Sequence, residues 1–342
     1  MKIIVDGMGG DHAPAVVVEG AVEAVKLLPD QYQVCLVGKE EMLYEELEKY
    51  RYNKEKLTVV DAREVIGMED APVKAVRSKK DSSMVKGINI VKSGEGDVFV
   101  SAGNSGALMA GGLFILGRIQ GIDRPAIASV YPVLGGSPQL LVDAGANSEC
   151  KPSNLLEFAM MGSIYAEKVW NRKEPAVGLV NLGVEENKGS TLTKAAYELL
   201  GRSGLNFIGN VEARELPGGV CDVIVCDGFT GNVILKLTEG FALHILQLLK
   251  KRFTEGTRAK LGALMLKEKL QGLKTEFDYS EYGGAPILGV KGAIVKMHGS
   301  SNANAVKNTI IKSIPYIEGK VVDKIQQSVV NIEEIVNSEL EE

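Results

Sequence analysis

Short apolar runs alternate along this chain with stretches whose apolar positions recur at helical spacing. The runs are KIIVD at 2–6, YQVCLVG at 32–38, LTVVDA at 57–62, DVFVSAG at 97–103, AIASVYP at 126–132, QLLVDAG at 139–145, AVGLVNLG at 176–183, CDVIVCDG at 221–228 and AIVKMHG at 293–299. Val and Ile fall on both faces of these runs, as in strands that are covered on both sides of a mostly parallel sheet. Helical spacing follows most of them, for example over Ala15–Leu28 and the charged stretch 40–50. The pattern predicts an α/β fold, a three-layer α/β/α sandwich around a mostly parallel, Rossmann-like central sheet. No linker rich in Pro, Gly or Ser divides the chain, so residues 1–342 read as a single α/β catalytic domain.

Six of the strands end in turns of small and polar residues: DGMGGD at 6–11, SAGNSGAL at 101–108, DAGAN at 143–147, NLGVEENKG at 181–189, DGFTGN at 227–232 and HGSSNAN at 298–304. Ligands of open α/β sheets bind outside the carboxyl ends of the strands. Glycine lets the backbone come close to such a ligand. The six turns are therefore expected to line one cleft, with Asp6, Gly9, Asp11, Ser101, Gly103, Asn104, Ser105, Asp143, Asn147, Asn181, Glu185, Asp227, Lys236 and Ser300 as candidate binding residues. Glycine makes up 39 of 342 residues, above the usual ~7%. With 11 prolines and no Gly-X-Y period, the excess excludes collagen and low-complexity disorder and points back to these turns.

The turns favour a phosphate or phosphoryl ligand. SAGNSGAL is strand, glycine turn and helix, which aims backbone N–H groups at one spot. Asn104 or Ser105 alternatively caps the helix. Neither the G-x-G-x-x-G nor the GxxxxGK[ST] spacing occurs, so no nucleotide is indicated. Lys188 after its strand-end turn offers a point charge to phosphate or to a developing oxyanion, or is a solvated loop lysine. Asn232 holds a carbonyl or phosphate oxygen, or is an N-cap. Lys236, one turn further, faces cleft or solvent. His298 donates to a leaving group or oxyanion, or makes a structural hydrogen bond.

A covalent nucleophile is not expected. GxSxG is absent, and Cys35, Cys150, Cys221 and Cys226 form no CxxC pair and read as reduced, mostly buried thiols. With only His12, His244 and His298 and no metal-ligand spacing, no zinc site is expected. Direct attack by a bound substrate fits better. The N-terminus reaches a glycine turn too soon for a secretory signal, and no run of about 18 apolar residues reads as a membrane span. Few aromatics and a net charge of −5 disfavour nucleic acid as a partner.

That charge is uneven. KKRFTEGTRAKLGALMLKEKLQGLK at 250–274 carries eight Lys or Arg and two Glu, a net of +6, which leaves −11 on the remainder. Leu261, Leu264 and Met265 lie among Lys260, Lys267 and their neighbours, which is the signature of a membrane-surface or partner-binding helix. A leucine face packed in a dimer or core fits the same spacing. A protruding basic amphipathic hairpin is expected at about 237–275.

Taken in order, with GGAPILGVKG at 283–292 as a further glycine loop, these motifs resemble the PlsX-type phosphate acyltransferases of bacterial phospholipid synthesis over nearly the whole chain. The SAGNSGAL turn also looks like that of phosphotransacetylases, and Ser105 stands where the family often has Thr. The resemblance implies a fold related to the phosphotransacetylases and the isocitrate and isopropylmalate dehydrogenases. It implies transfer of a long acyl chain from acyl carrier protein to inorganic phosphate, with the acyl phosphate passing to a glycerol-3-phosphate acyltransferase. It also implies a homodimer, cytoplasmic and peripherally bound to the inner face of an anionic membrane, without metal or nucleotide cofactor. In that setting the expected mechanism puts phosphate on the SAGNSGAL turn near Lys188, with Lys188 and Asn232 stabilising the oxyanion and His298 assisting thiolate departure. The rival readings are a phosphotransacetylase acting on short acyl-coenzyme A and a lipid-surface regulator without catalytic activity.

Overall fold

The computed structural model describes residues 1–266, 272 and 279–329. Eleven strands form one sheet: β1 (Lys2–Asp6), β2 (Gln33–Gly38), β3 (Leu57–Asp61), β4 (Val98–Ser101), β5 (Ala126–Tyr131), β6 (Gln139–Val142), β7 (Val177–Asn181), β8 (Phe207–Glu212), β9 (Val223–Val225), β10 (Ala285–Leu288) and β11 (Ala293–Lys296). Their order is β3-β2-β1-β4-β11-β10-β5-β6-β9-β7-β8. Helices cover both faces. Ile3 and Val5 of β1 pack into a core shared with helices Ala15–Leu27 and Pro152–Trp170, while Ile4 points to the other face, against Phe99 and helix Ser83–Lys92. This is the strand alternation that places successive side chains in opposite layers. The α/β/α sandwich is thus as the hydrophobic pattern predicts.

The directions of the strands decide where the turns fall. β3, β2, β1, β4 and β11 run parallel to one another. The sheet then reverses at each of three antiparallel steps, β11 to β10, β10 to β5 and β5 to β6. β6, β9, β7 and β8 are parallel again, but opposite in sense to β1. The carboxyl ends of β1, β4 and β11 therefore lie at one edge of the strands, and those of β6, β7 and β9 at the other.

The expected segment at 250–274 is divided. A 27-residue helix runs over Gly228–Thr254, the chain turns at Glu255 and Gly256 (φ +85°), and a second helix spans Thr257–Met265. By length and composition the longer helix could cross a membrane, unlike the expectation from apolar runs alone. Its first turn, however, is embedded, with Gly228 and Gly231 buried against the β6 turn. Lys267, Lys269, Leu270, Leu273 and Lys274, and with them the end of the expected hairpin, lie outside the described residues.

Candidate active site

At the first edge, DGMGGD, SAGNSGAL and HGSSNAN interlock. The Asp11 N–H donates to the Gly299 carbonyl at 2.8 Å. The Ser101 hydroxyl donates to buried Asp6 at 2.7 Å and accepts from the Gly103 N–H at 3.0 Å. Burial raises the Asp6 pKa, against hydrogen bonds from Ser83, Ser101 and the Met8 and Gly9 backbone that favour the ion. A β-carbon on Gly9 would stand 2.6 Å from Asp6 Oδ2, so this contact needs glycine. Asn104 accepts from the Ala107 N–H at 3.0 Å and donates to the carbonyls of Gly67, Met68 and Asp70. The Asp6, Ser101 and Asn104 side chains are thus spent on holding the turn, while Ser105 is half-buried and Asp11 exposed.

At the second edge the pattern repeats with other residues. Buried Asp143 accepts from the N–H groups of Ile127, Gly145, Ala146 and Asn147 and from the Asn147 amide. Burial still raises its pKa. Asp227 caps the long helix through the Thr230 N–H at 2.9 Å and also accepts from the Thr230 hydroxyl at 2.7 Å. Asn181 donates to the Lys188 carbonyl at 3.2 Å and to Asn210 at 3.0 Å, and Asn210 in turn donates to the Glu185 carbonyl at 3.0 Å. These bonds shape the loop that presents Lys188. Lys188 and Asn232 are exposed, and among the described residues no hydrogen bond or ion pair takes up either side chain. β7 and β9 are neighbours in the sheet, so the two residues project from adjacent strand ends. Asn232 stands over the β6 turn, where a β-carbon on Gly145 would be 3.4 Å from its Cβ.

The expectation of six turns around one cleft is therefore corrected: three open at each edge. SAGNSGAL, His298 and Ser300 do not share an edge with Lys188, because β4 and β11 run opposite to β7. The long helix joins the two sets. It starts at the second edge and crosses to the first, where the Thr238 hydroxyl meets Tyr131 Oη, at the end of β5, at 3.1 Å. Lys236, ion-paired with Glu239 at 2.8 Å, lies one turn beyond Asn232. Its charge reaches His298, whose basicity is lowered by burial and then by Lys236 and Lys296. His298 Nδ1 lies 2.8 Å from the Ser300 hydroxyl.

Lys296 was missed from sequence. Its signal is a lysine ending an otherwise buried strand, in AIVK two residues before His298. The thiols behave as buried groups: burial pushes Cys221 up to about 12 and Cys150 up to about 11, which leaves no thiolate to attack. Among the described residues no three His, Cys, Asp or Glu side chains gather as metal ligands.

Known proteins with similar sequences span the same length. A Phosphate acyltransferase from Alkaliphilus oremlandii is 57% identical over 329 residues, covering 96% of this chain and 97% of that protein. One from Clostridioides difficile is 52% identical, covering 96% of each. In fold the chain is similar to the EutD phosphotransacetylase from Staphylococcus aureus (TM-score 0.57, 15% identity, 93% of this chain and 94% of that one). It is equally similar to a phosphotransacetylase from Streptococcus pyogenes (TM-score 0.57, 16% identity, 97% and 94%). Residues 1–324 match the family described as Fatty acid synthesis protein, and the chain belongs to that family.

Proposed function

We propose that this protein is a phosphate acyltransferase that moves a long-chain acyl group from acyl carrier protein to inorganic phosphate, for use in phospholipid synthesis. The observation that carries the reading is full-length similarity, at 57% and 52% identity, to proteins of that name. The description of the family as a fatty acid synthesis protein suits acyl carrier protein as donor. The phosphotransacetylases share the fold at 15–16% identity and say nothing of the acyl donor here.

The chemistry needs one cation for phosphate and one donor for the thioester oxygen. Lys188 supplies the first and the Asn232 amide the second, from adjacent strand ends. An oxygen of monoprotonated phosphate bonds to the acyl carbon, and the carbonyl oxygen takes up negative charge against Asn232 and Lys188. The C–S bond then breaks and the phosphate's proton ends on the sulfur, giving acyl phosphate and free thiol. Phosphate is already nucleophilic, so alignment and a fixed donor lower the barrier without a covalent enzyme intermediate. In this reading phosphate is a substrate and no cofactor takes part. Asp143, Asp227 and Asn181 hold the loops rather than the ligand, and uncompensated carboxylates beside phosphate would repel it.

Phe229, Val233, Leu237, Phe241 and Leu248 make an exposed apolar stripe along the long helix. A second copy covers this stripe in our reading, which makes the protein a homodimer. The following helix exposes Leu261, Leu264 and Met265 (63, 68 and 83%) beside Arg258 and Lys260. These meet an anionic membrane, placing the enzyme at the cytoplasmic face, where a glycerol-3-phosphate acyltransferase consumes the product. The test of the reaction is phosphate-dependent thiol release from long-chain acyl carrier protein, with acyl phosphate trapped by hydroxylamine. Turnover of acetyl-coenzyme A in preference to the acyl carrier protein would overturn it in favour of a phosphotransacetylase.

A further inference from the structure

The acyl-transfer step uses Lys188 and Asn232 and leaves the cations of the opposite edge without a task. Lys296 closes β11 in register with Ser101 of β4 and Ala285 of β10, and the next N–H, of Met297, donates to the Ser101 carbonyl at 2.8 Å. Its backbone is thus fixed from both sides. The side chain is half-buried, and among the described residues no hydrogen bond or ion pair engages its ammonium. Lys236 lies on the long helix two residues before Thr238, whose hydroxyl meets Tyr131 Oη at that edge. His298 follows Lys296 by two residues. Lys296 and His298, two residues apart at the end of one strand, fall on the same face; burial lowers the basicity of both, Lys236 lowers both further, and Lys296 also lowers that of His298. The acidic groups that reach them are Glu239, in an exposed pair with Lys236, and Asp11 near His298. An exposed pair of this kind is worth little and yields readily to a better anion.

We propose that Lys296, with Lys236 and His298, forms a second anion site that holds the phosphodiester of the donor's phosphopantetheine arm. The inference rests on the acyl-transfer reading for the identity of the donor. The reaction brings two phosphoryl groups to the protein, inorganic phosphate and this phosphodiester, and among the described residues Lys188 and the Lys296 group stand at opposite edges of the sheet. Crossing the four residues of β6 alone takes roughly 13 Å at ~3.3 Å per residue. A single phosphate cannot touch both edges. An extended arm can, with its phosphodiester at Lys296 and its thioester carbonyl at Asn232. The helix that carries both Asn232 and Lys236 runs along that path and rises about 6 Å between them.

The test compares binding and turnover in the full chain. Wild type should bind 4′-phosphopantetheine about 10- to 100-fold more tightly than pantetheine, the worth of a hydrogen bond to a charged group. Lys296→Gln should erase that preference, and Lys296→Arg should restore most of it. In turnover, Lys296→Gln should raise KM for acyl carrier protein by a similar factor and leave kcat and KM for phosphate unchanged. Equal binding of the two compounds by wild type would overturn the site. A rise in KM for phosphate with donor KM unchanged would overturn it too, assigning the cluster to inorganic phosphate. Should wild type form no acyl phosphate, the acyl-transfer reading fails, while the binding comparison still judges the anion site.

Discussion

The placement of Asn232 depends on how deeply the long helix is set into the sheet, and Gly228→Ala probes that directly. Gly228 opens the helix, and its N–H donates to the Asn147 carbonyl at 2.7 Å. An added β-carbon would stand 2.7 Å from that carbonyl oxygen, 2.7 Å from Asp143 Oδ2 and 2.8 Å from the Asn147 N. An ordinary carbon–oxygen approach is about 3.2 Å or more, so roughly half an ångström must be found. Neither neighbour gives easily: one is backbone, the other a buried carboxylate holding five N–H donors. The helix start must lift, and Asn232, four residues on and on the same face, lifts with it. Overpacking of this kind costs about 1–3 kcal/mol. Misplacing a catalytic group by up to 1 Å costs about 10- to 100-fold in turnover. Thermal melts and phosphate-dependent thiol release measure the two effects. Gly201→Ala, on a helix where a β-carbon meets nothing within 4 Å, is the control and should keep full activity. If Gly228→Ala melted and turned over like wild type, both the packing argument and the role of Asn232 would be refuted.

Lys188→Ala and Asn232→Ala should each lower kcat by ~100-fold or more with melting unchanged, the scale of losing an oxyanion donor; near wild-type rates in folded protein would remove them from the mechanism. Changing Leu261, Leu264 and Met265 together to Ser should release the protein from anionic vesicles in sedimentation while soluble turnover persists. Dissociation of the proposed dimer instead would make these residues an interface. Buried Glu157 accepts from the Asp123 and Arg124 N–H groups at 3.1 and 3.2 Å, and burial pushes it up to about 7. Between its unfolded pKa of about 4.3 and 7 the native state holds the extra proton, so stability falls as pH rises through that window, by a few kcal/mol at most. Glu157→Gln should flatten the slope of melting temperature against pH, and an unchanged slope would locate the titration elsewhere.

The layers of this fold were legible in the sequence because burial leaves a mark on every residue of a covered strand. Two strands escaped. β10 lies within GGAPILGVKG, where Pro286 and flanking glycines read as loop, and proline is rare inside a sheet. β8 has Gly209 at φ +96° within it and a register irregularity opposite Val177 and Gly178, which breaks the alternation that marks a strand. Missing β10 has the smaller consequence. It is antiparallel to both β11 and β5, so those two keep the same sense, and the step that turns β6, β9, β7 and β8 against β1 is the antiparallel pairing of β5 with β6; taking those two as parallel makes six turns appear to share one edge. Strand direction is a property of connections, and hydrophobic periodicity is the same whichever way a strand runs. The individual motifs survive the correction, and their grouping changes. Asp6, Asp143 and Asn181 turn inward to hold loops. Lys188 with Asn232 and Lys296 with His298 are left facing outward on two edges, and the helix between them gives a long, two-ended substrate a reason to need both.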